Sequence, residues 1–143
     1  MDHRFHRCSL PVPVRKVQET EEKIDGPYNM HARNITRGAF LGDSVREAHG
    51  LFPRMKGLLG SSGLSPGEGL WICPCNSIHS IGMRFEFDAL FLDSRMKVVG
   101  LYDRFRKNRV SRIFWDARGV LELPAGTIEC TGTEVGDEFE FRK

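Results

Sequence analysis

Residues 70–101 read LWICPCNSIHSIGMRFEFDALFLDSRMKVVGL, and this stretch decides the fold. It breaks into short apolar runs of strand length, Leu70–Cys75, Ile78–Phe85, Ala89–Leu92 and Val98–Leu101, rich in aromatic and β-branched residues. Asp93-Ser94-Arg95 reads as a hairpin connection between the last two. Working toward the N-terminus, His31–Arg37 and Ser44–Ala48 also read as strands, broken by Gly38 and by the turn pair Gly42-Asp43. Between them and the deciding stretch, Leu51, Met55, Leu58 and Leu59 fall at helical spacing, with Pro53 tolerable in a first turn. A short amphipathic helix is expected over Leu51–Leu59, followed by the loop GSSGLSPGEG at 60–69.

Toward the C-terminus, Gly119–Leu123 reads as a strand and Pro124 opens a short helix, Ala125–Cys130, which Gly132 stops. Glu138–Phe141 closes the chain as a strand with Phe139 and Phe141 on one face. Many short strands and one or two short helices predict a mainly β domain, a small barrel-like or curled antiparallel sheet. There is no βαβ rhythm, no GxGxxG and no GxxxxGK[ST], which argues against the two commonest nucleotide folds.

The chain has 143 residues, 40% of them hydrophobic and 28% charged, with 21 basic against 19 acidic side chains. That is room for one core, and a net charge of +2 excludes a bulk polycation. No apolar run is long enough to span a bilayer, and four Cys are too few for a disulfide-held scaffold. Residues 1–29 hold Pro11, Pro13 and Pro27 and no sustained periodicity, so they are expected to form a disordered or loosely docked tail. They carry no secretory h-region, and Met30 offers an alternative translation start. Residues 30–143 are then a single mainly β domain, expected to be cytoplasmic.

The densest chemistry lies between Cys73 and Asp88. On a strand, Cys73 and Cys75 would share a face, as would His79 and Met83. Two thiolates, an imidazole and a thioether form a soft set suited to copper(I), or to zinc without the Met. The plainer reading, and the preferred one, has no metal and no cofactor. In it both Cys are buried small hydrophobes, Met83 fills the core and His79 bonds a backbone carbonyl. Cys75 with His79, if the chain turns at Asn76-Ser77, is a candidate nucleophile and base, with Arg84 to stabilise a thiolate. His79 with Asp88 is a candidate acid–base pair.

Two further segments stand out. Arg104–Arg112, RFRKNRVSR, packs five cations into nine residues with no acid, which suits an acidic partner, a nucleic-acid backbone or an anionic surface. In VLELPAG (120–126), Glu122 alternates with Leu121 and Leu123, so it should face away from them toward a cleft. The amides at Pro124-Ala125-Gly126 are a candidate anion site at a helix start.

These motifs carry a resemblance. GLLG (57–60), GEGL (67–70), PCNSIHSIGMRF (74–85), DALFLD (88–93), VLELPAG (120–126) and VGD (135–137) occur in the order seen in an uncharacterised prokaryotic family, domain of unknown function 192. The chain resembles that family from about Ala32 to Phe141. Cys75, His79, Met83, Arg84, Asp88, Glu122, Pro124, Gly126 and Asp137 match positions the family pattern favours, whereas Cys73 departs from it. The resemblance implies a small mainly β barrel-like domain and no established activity, substrate or cofactor. Some relatives are exported, and some lie near pilus or secretion genes.

The reading that results is a binding or assembly module. Its polar cleft would use His79, Arg84, Asp88, Glu122 and Cys75 to hold a small anionic ligand or a partner peptide, with a link to pilus or secretion systems. Nucleic acid is not an expected partner, and no membrane span is expected. The alternatives are an enzyme using His79 with a carboxylate, or Cys75, and a soft-metal site at Cys73, Cys75, His79 and Met83. The enzyme reading requires at least three of these groups to converge on one open pocket.

Overall fold

The computed structural model describes residues 30–48 and 62–143. The expectations for the 1–29 tail and for a helix at 51–59 lie outside the described residues. The strands are β1 (Met30–Asn34), β2 (Ala39–Ala48), β3 (Glu68–Ile72), β4 (Phe87–Leu92), β5 (Val98–Phe105), β6 (Gly119–Pro124) and β7 (Phe139–Arg142). One short helix, α1 (Thr127–Thr131), follows β6.

The strands form one sheet in the order β5-β4-β6-β3-β2-β1-β7. Every pairing is antiparallel except β2–β3, which is parallel. The two ends of this order meet at one corner. There Val98 N–H donates to the Asp137 carbonyl (2.9 Å), Gly136 N–H to that of Val98 (2.8 Å) and Phe139 N–H to that of Met96 (2.8 Å). This contact curls the sheet into a half-barrel.

Curling gives the sheet two buried faces. Inside the curl, one apolar cluster draws on all seven strands and α1, with Val45, Trp71, Leu90, Leu92, Val98, Leu121, Leu123 and Ile128 among its members. The opposite face of β3, β4, β5 and β6 carries a second cluster, including Leu70, Ile72, Phe87, Ala89, Phe91, Phe105 and Val120. The loops after β3 and β5 cover it with Ile78, Met83 and Phe114. β4, FDALFL, is buried at every position, as a strand covered on both sides must be.

Local sequence explains the element ends. Asp93 accepts N–H bonds from Arg95 (2.8 Å) and Lys97 (3.0 Å), forming the β4–β5 connection expected there. Gly132 ends α1 in the left-handed conformation (φ 65°). Gly42-Asp43 is not a turn but lies inside the ten-residue β2. The register of β1 on β2 shifts beside it, and the Gly67 carbonyl accepts the N–H groups of Asp43 and Ser44. A Cβ on Gly42 would stand 2.8 Å from that carbonyl oxygen, so this glycine serves close approach rather than chain reversal.

The largest departure is at Ile78–Phe85, which is not a strand. Only His79 forms a bridge, to Val110, and Met83 N–H closes a turn onto the Ser80 carbonyl (3.1 Å). Gly82 takes φ 81°, outside extended geometry. β3 likewise ends at Ile72, before Pro74, which has no N–H to give a ladder.

Candidate functional site

Because 78–85 is a loop, it can pair with a second loop, and this pairing builds an exposed surface. Ser80 is the clasp. Its fully buried hydroxyl donates to the Arg106 carbonyl (2.5 Å) and accepts Arg109 N–H (3.0 Å), while its own N–H donates to the Arg109 carbonyl (2.8 Å). Asn108 N–H donates to the Ser80 carbonyl (3.1 Å), and Gly82 N–H donates to Asn108 Oδ1 (3.2 Å). Ser111 holds the other end, with its N–H on the Ile78 carbonyl (2.8 Å) and its hydroxyl accepting Ile78 N–H (2.9 Å).

This double clasp leaves little backbone need unmet and pushes large side chains outward. Val110 is 68% exposed, Ile81 57%, Ile113 47% and Trp115 80%. His79, opposite Val110, is exposed as well. Around them stand Arg84, Arg106, Lys107, Arg109 and Arg112, all exposed, and none forms a salt bridge among the described residues. Arg112 lies over the Phe114 ring, 4.4 Å from its centroid, which holds one guanidinium in place. Phe114 itself is stacked on Phe91 (4.3 Å between centroids) and lies against Gly100, where any Cβ would collide with it. The loop surface is thus anchored to the sheet through one ring.

Arg104 is not part of that surface. It takes φ 53°, and its guanidinium pairs with Glu129 (2.8 Å) on α1. Its backbone is held by Asp88, a fully buried residue on the inner face of the sheet. Asp88 Oδ1 accepts Arg104 N–H (2.8 Å) and Oδ2 accepts Ile128 N–H (2.7 Å). Burial pushes the Asp88 carboxyl above the usual range, against the pull of the Ile128, Arg104 and Gly126 amides. The amides at the start of α1, read in the sequence as a site for an external anion, are therefore filled by the chain's own carboxylate.

Glu122 faces away from Leu121 and Leu123, but the face it meets is the second buried face. It pairs with Leu70 on one side and Ala89 on the other. It is 4% exposed, and its Oε2 has no hydrogen-bond partner. Burial in apolar surroundings pushes its carboxyl from 4.5 up to about 8.

The five residues read as one polar cleft are not brought together. Asp88 pairs across β6 with Leu123, and Glu122 pairs across β4 with Ala89, so their side chains lie on opposite faces of the sheet. His79 and Arg84 are exposed on the loop surface. Cys75 is half-buried against the second cluster and donates its thiol proton to the Ser77 carbonyl (3.0 Å) rather than to His79. Both Asp88 oxygens are taken by backbone amides, so no His79–Asp88 pair forms. The convergence that acid–base or thiol catalysis requires is absent among the described residues.

The soft-metal set is divided in the same way. Cys73 packs against the inner cluster and Cys75 against the outer one, because the chain leaves the strand after Ile72. Met83 is buried in the outer cluster. No group of three or more His, Cys, Asp or Glu among the described residues is placed to hold a metal ion.

Asp137, matched by the family pattern, is structural. Its carboxylate accepts Arg37 Nε (2.6 Å), the buried Asn34 Nδ2 (2.9 Å) and Glu134 N–H (3.0 Å), locking the β1 turn to the entry of β7. Sequence reasoning missed Ser80 and Ser111 altogether. A single serine gives no periodic signal of its own, and its role is set by a loop 26 or more residues away.

Comparison with known proteins bears on the family and the fold. The model of the family DUF192, described as an uncharacterised ACR, matches residues 34–141. A UPF0127 protein of Thermococcus sibiricus is 32% identical over 116 residues, 76% of this chain and 72% of that protein. Among solved structures, a Sinorhizobium meliloti 1021 protein described as a candidate transcription regulator superposes with TM-score 0.67 at 21% identity, covering 80% of this chain and 95% of its own. A Novosphingobium aromaticivorans protein of unknown function gives TM-score 0.69 at 16% identity, covering 85% and 91%. At such identities the likeness is one of fold.

Proposed function

The chain belongs to the DUF192 family, and from that premise we propose that it is a binding module whose paired loops, 78–84 and 106–115, dock an acidic segment of a partner protein. The observation that carries this reading is the exposure of Trp115, Val110, Ile81 and Ile113 beside cations that form no salt bridge with the described residues. Exposed apolar side chains grouped on one patch mark interaction surfaces. Trp and Arg are the residue types that dominate binding energy at protein interfaces. Four of the five cations, Arg84, Arg106, Arg109 and Arg112, carry the planar fork that grips a carboxylate through two parallel bonds.

An acidic peptide with interleaved apolar residues satisfies both halves of this surface. A nucleic-acid backbone would use the cations but leave Val110, Ile81 and Ile113 without a partner. An anionic bilayer would accept the apolar side chains without using the fork geometry. Within this reading His79 and Arg84 belong to the docking surface, and Asp88, Glu122 and Cys75 lie outside it.

The test is a fluorescence titration with a short peptide of alternating Glu and Leu, run beside a Lys-for-Glu version, a single-stranded oligonucleotide and anionic vesicles. Trp71 is buried, so an emission change on binding reports the exposed Trp115. Saturable binding of the acidic peptide alone, weakened roughly tenfold or more by Arg109→Glu with Arg112→Glu, is the expected result. A flat titration, or stronger binding to oligonucleotide or vesicles, overturns the proposal.

A further inference from the structure

The exposed cations of the loop surface, Arg84, Arg106, Lys107, Arg109 and Arg112, form no salt bridge with any acid among the described residues. The densest run of those acids, Glu134 to Glu140, is already engaged. Glu134 and Asp137 bind Arg37, Glu138 binds Lys97 and Glu140 binds Arg142. Outside the described residues the chain has five acids, all within residues 1–29, since 49–61 contain none. Apart from Asp2 they belong to one stretch, VQETEEKID at 17–25, where Glu19, Glu21, Glu22 and Asp25 stand with a single cation, Lys23. Val17 and Ile24 lie toward its two ends. Acids with apolar residues beside them are the composition that the loop surface complements.

This stretch leads directly into the sheet. Asp25 precedes Met30, the first residue of β1, by five residues, and Glu22 precedes it by eight. β1 pairs with β2, and β2 with β3, the nearest strand of the face that the two loops cover. The middle of that face, at β6 and β4, lies three to four strand spacings from β1, about 14–19 Å, and a covering layer stands about 10 Å above a sheet. Eight extended residues span about 26 Å, so Glu22 and its neighbours are within reach of the loop surface of their own chain.

Building on the docking reading above, we infer that residues 17–25 occupy the paired loops of the same chain, and that a partner's acidic segment binds by displacing them. The guanidinium groups of the surface pair with the carboxylates of Glu19, Glu21, Glu22 and Asp25, and the exposed Val110, Ile81 and Ile113 take Val17 and Ile24. A tether this short sets an effective concentration on the order of 1 mM. At a Kd of about 0.1 mM the segment then covers the surface about 90% of the time, and a competing peptide binds about tenfold more weakly. The surface is thus regulated by its own chain, and the partner is selected by its ability to outcompete this stretch.

The experiment compares the full chain with its triple variant Glu19→Lys, Glu21→Lys, Glu22→Lys in titrations with the alternating Glu-Leu peptide. The variant is expected to bind the peptide about tenfold more tightly than wild type. Equal, saturable binding by both proteins overturns this inference and leaves the docking reading standing. If neither protein binds the peptide, the docking reading fails and this inference fails with it. Zero-length carbodiimide coupling of dilute wild-type chain, followed by peptide mapping, gives an answer even if the variant fails to fold. A bond from the Lys107 amine to Glu19, Glu21, Glu22 or Asp25 is expected within monomeric product. Its absence, or its presence only in dimeric product, overturns the inference.

Discussion

Replacing Glu122 by Gln keeps the shape of the side chain and removes its titration, so the variant isolates what burial does to this one acid. The carboxyl lies in the apolar outer cluster at 4% exposure, which lifts it from 4.5 to about 8. The folded state therefore keeps the proton over a pH range in which the unfolded chain releases it. Where the folded state binds more protons, stability falls as pH rises. The contribution is intact below 4.5 and is lost progressively as pH climbs to about 8. At about 1.4 kcal/mol for each pH unit, the loss is about 1 kcal/mol at pH 5, about 3 at pH 7 and about 5 at pH 9. Gln at this position has no such dependence. Other titrating groups, Asp88 included, are common to both proteins and cancel in the difference. Urea denaturation of both proteins at pH 5, 7 and 9, fitted to two states, measures it. The stability of Glu122→Gln relative to wild type should rise steadily with pH by about 4 kcal/mol across that range. Parallel pH profiles, with a constant gap, would refute the assignment of Glu122 as a buried acid on an apolar face.

Three further outcomes follow from the geometry. Asp88→Ala removes the acceptor of the Arg104 and Ile128 amides and should destabilise the fold by about 2–4 kcal/mol, with faster hydrogen exchange at the Ile128 amide. Asp137→Ala should lower stability by about 2–4 kcal/mol at neutral pH, since it strands the buried Asn34 amide and frees Arg37. Burial raises the Asp137 carboxyl, but bonds from Arg37, Asn34 and the Glu134 amide outweigh it and hold the group below 3.8. Its contribution is thus complete above that value and fades as pH falls through the lower folded one, so acid unfolding should begin at higher pH without it than with it only if the lock is formed. Gly100→Ala drives a methyl into the Phe114 ring and should cost about 1–3 kcal/mol, and near-UV circular dichroism should report the displaced aromatic.

Much of this architecture is legible in the sequence where local chemistry decides it. Ala89–Leu92, Val98–Leu101, Gly119–Leu123 and Glu138–Phe141 all lie within observed strands or overlap them, because short apolar runs between turn residues have few other ways to be buried. Asp93 and Gly132 act where they stand, through their own neighbours in sequence. Of the motifs that carry the resemblance to DUF192, GEGL, DALFLD and VLELPAG lie largely in β3, β4 and β6 of this sheet.

The rest depends on distant partners. Ile78–Phe85 has strand composition, yet its partner loop meets the backbone at Ile78, His79 and Ser80 and then only through an Asn108 side chain at Gly82, where the chain turns away. Cys73 and Cys75 are divided between clusters because the strand ends first. Alternation correctly turns Glu122 away from its leucines, but only the curled topology shows that the other face is buried too. Asp88, a polar residue opening an apolar run, gives no sign in sequence that Ile128, 40 residues on, will claim its carboxylate.

The central claim is that the paired loops form a docking surface for an acidic partner segment. Amide chemical-shift mapping of the labelled protein with the alternating Glu-Leu peptide tests it directly. The account predicts saturable shifts confined to residues 78–84 and 106–115, with the Trp115 indole among the largest. Shifts centred on another face of the sheet, or none at saturating peptide, would contradict it.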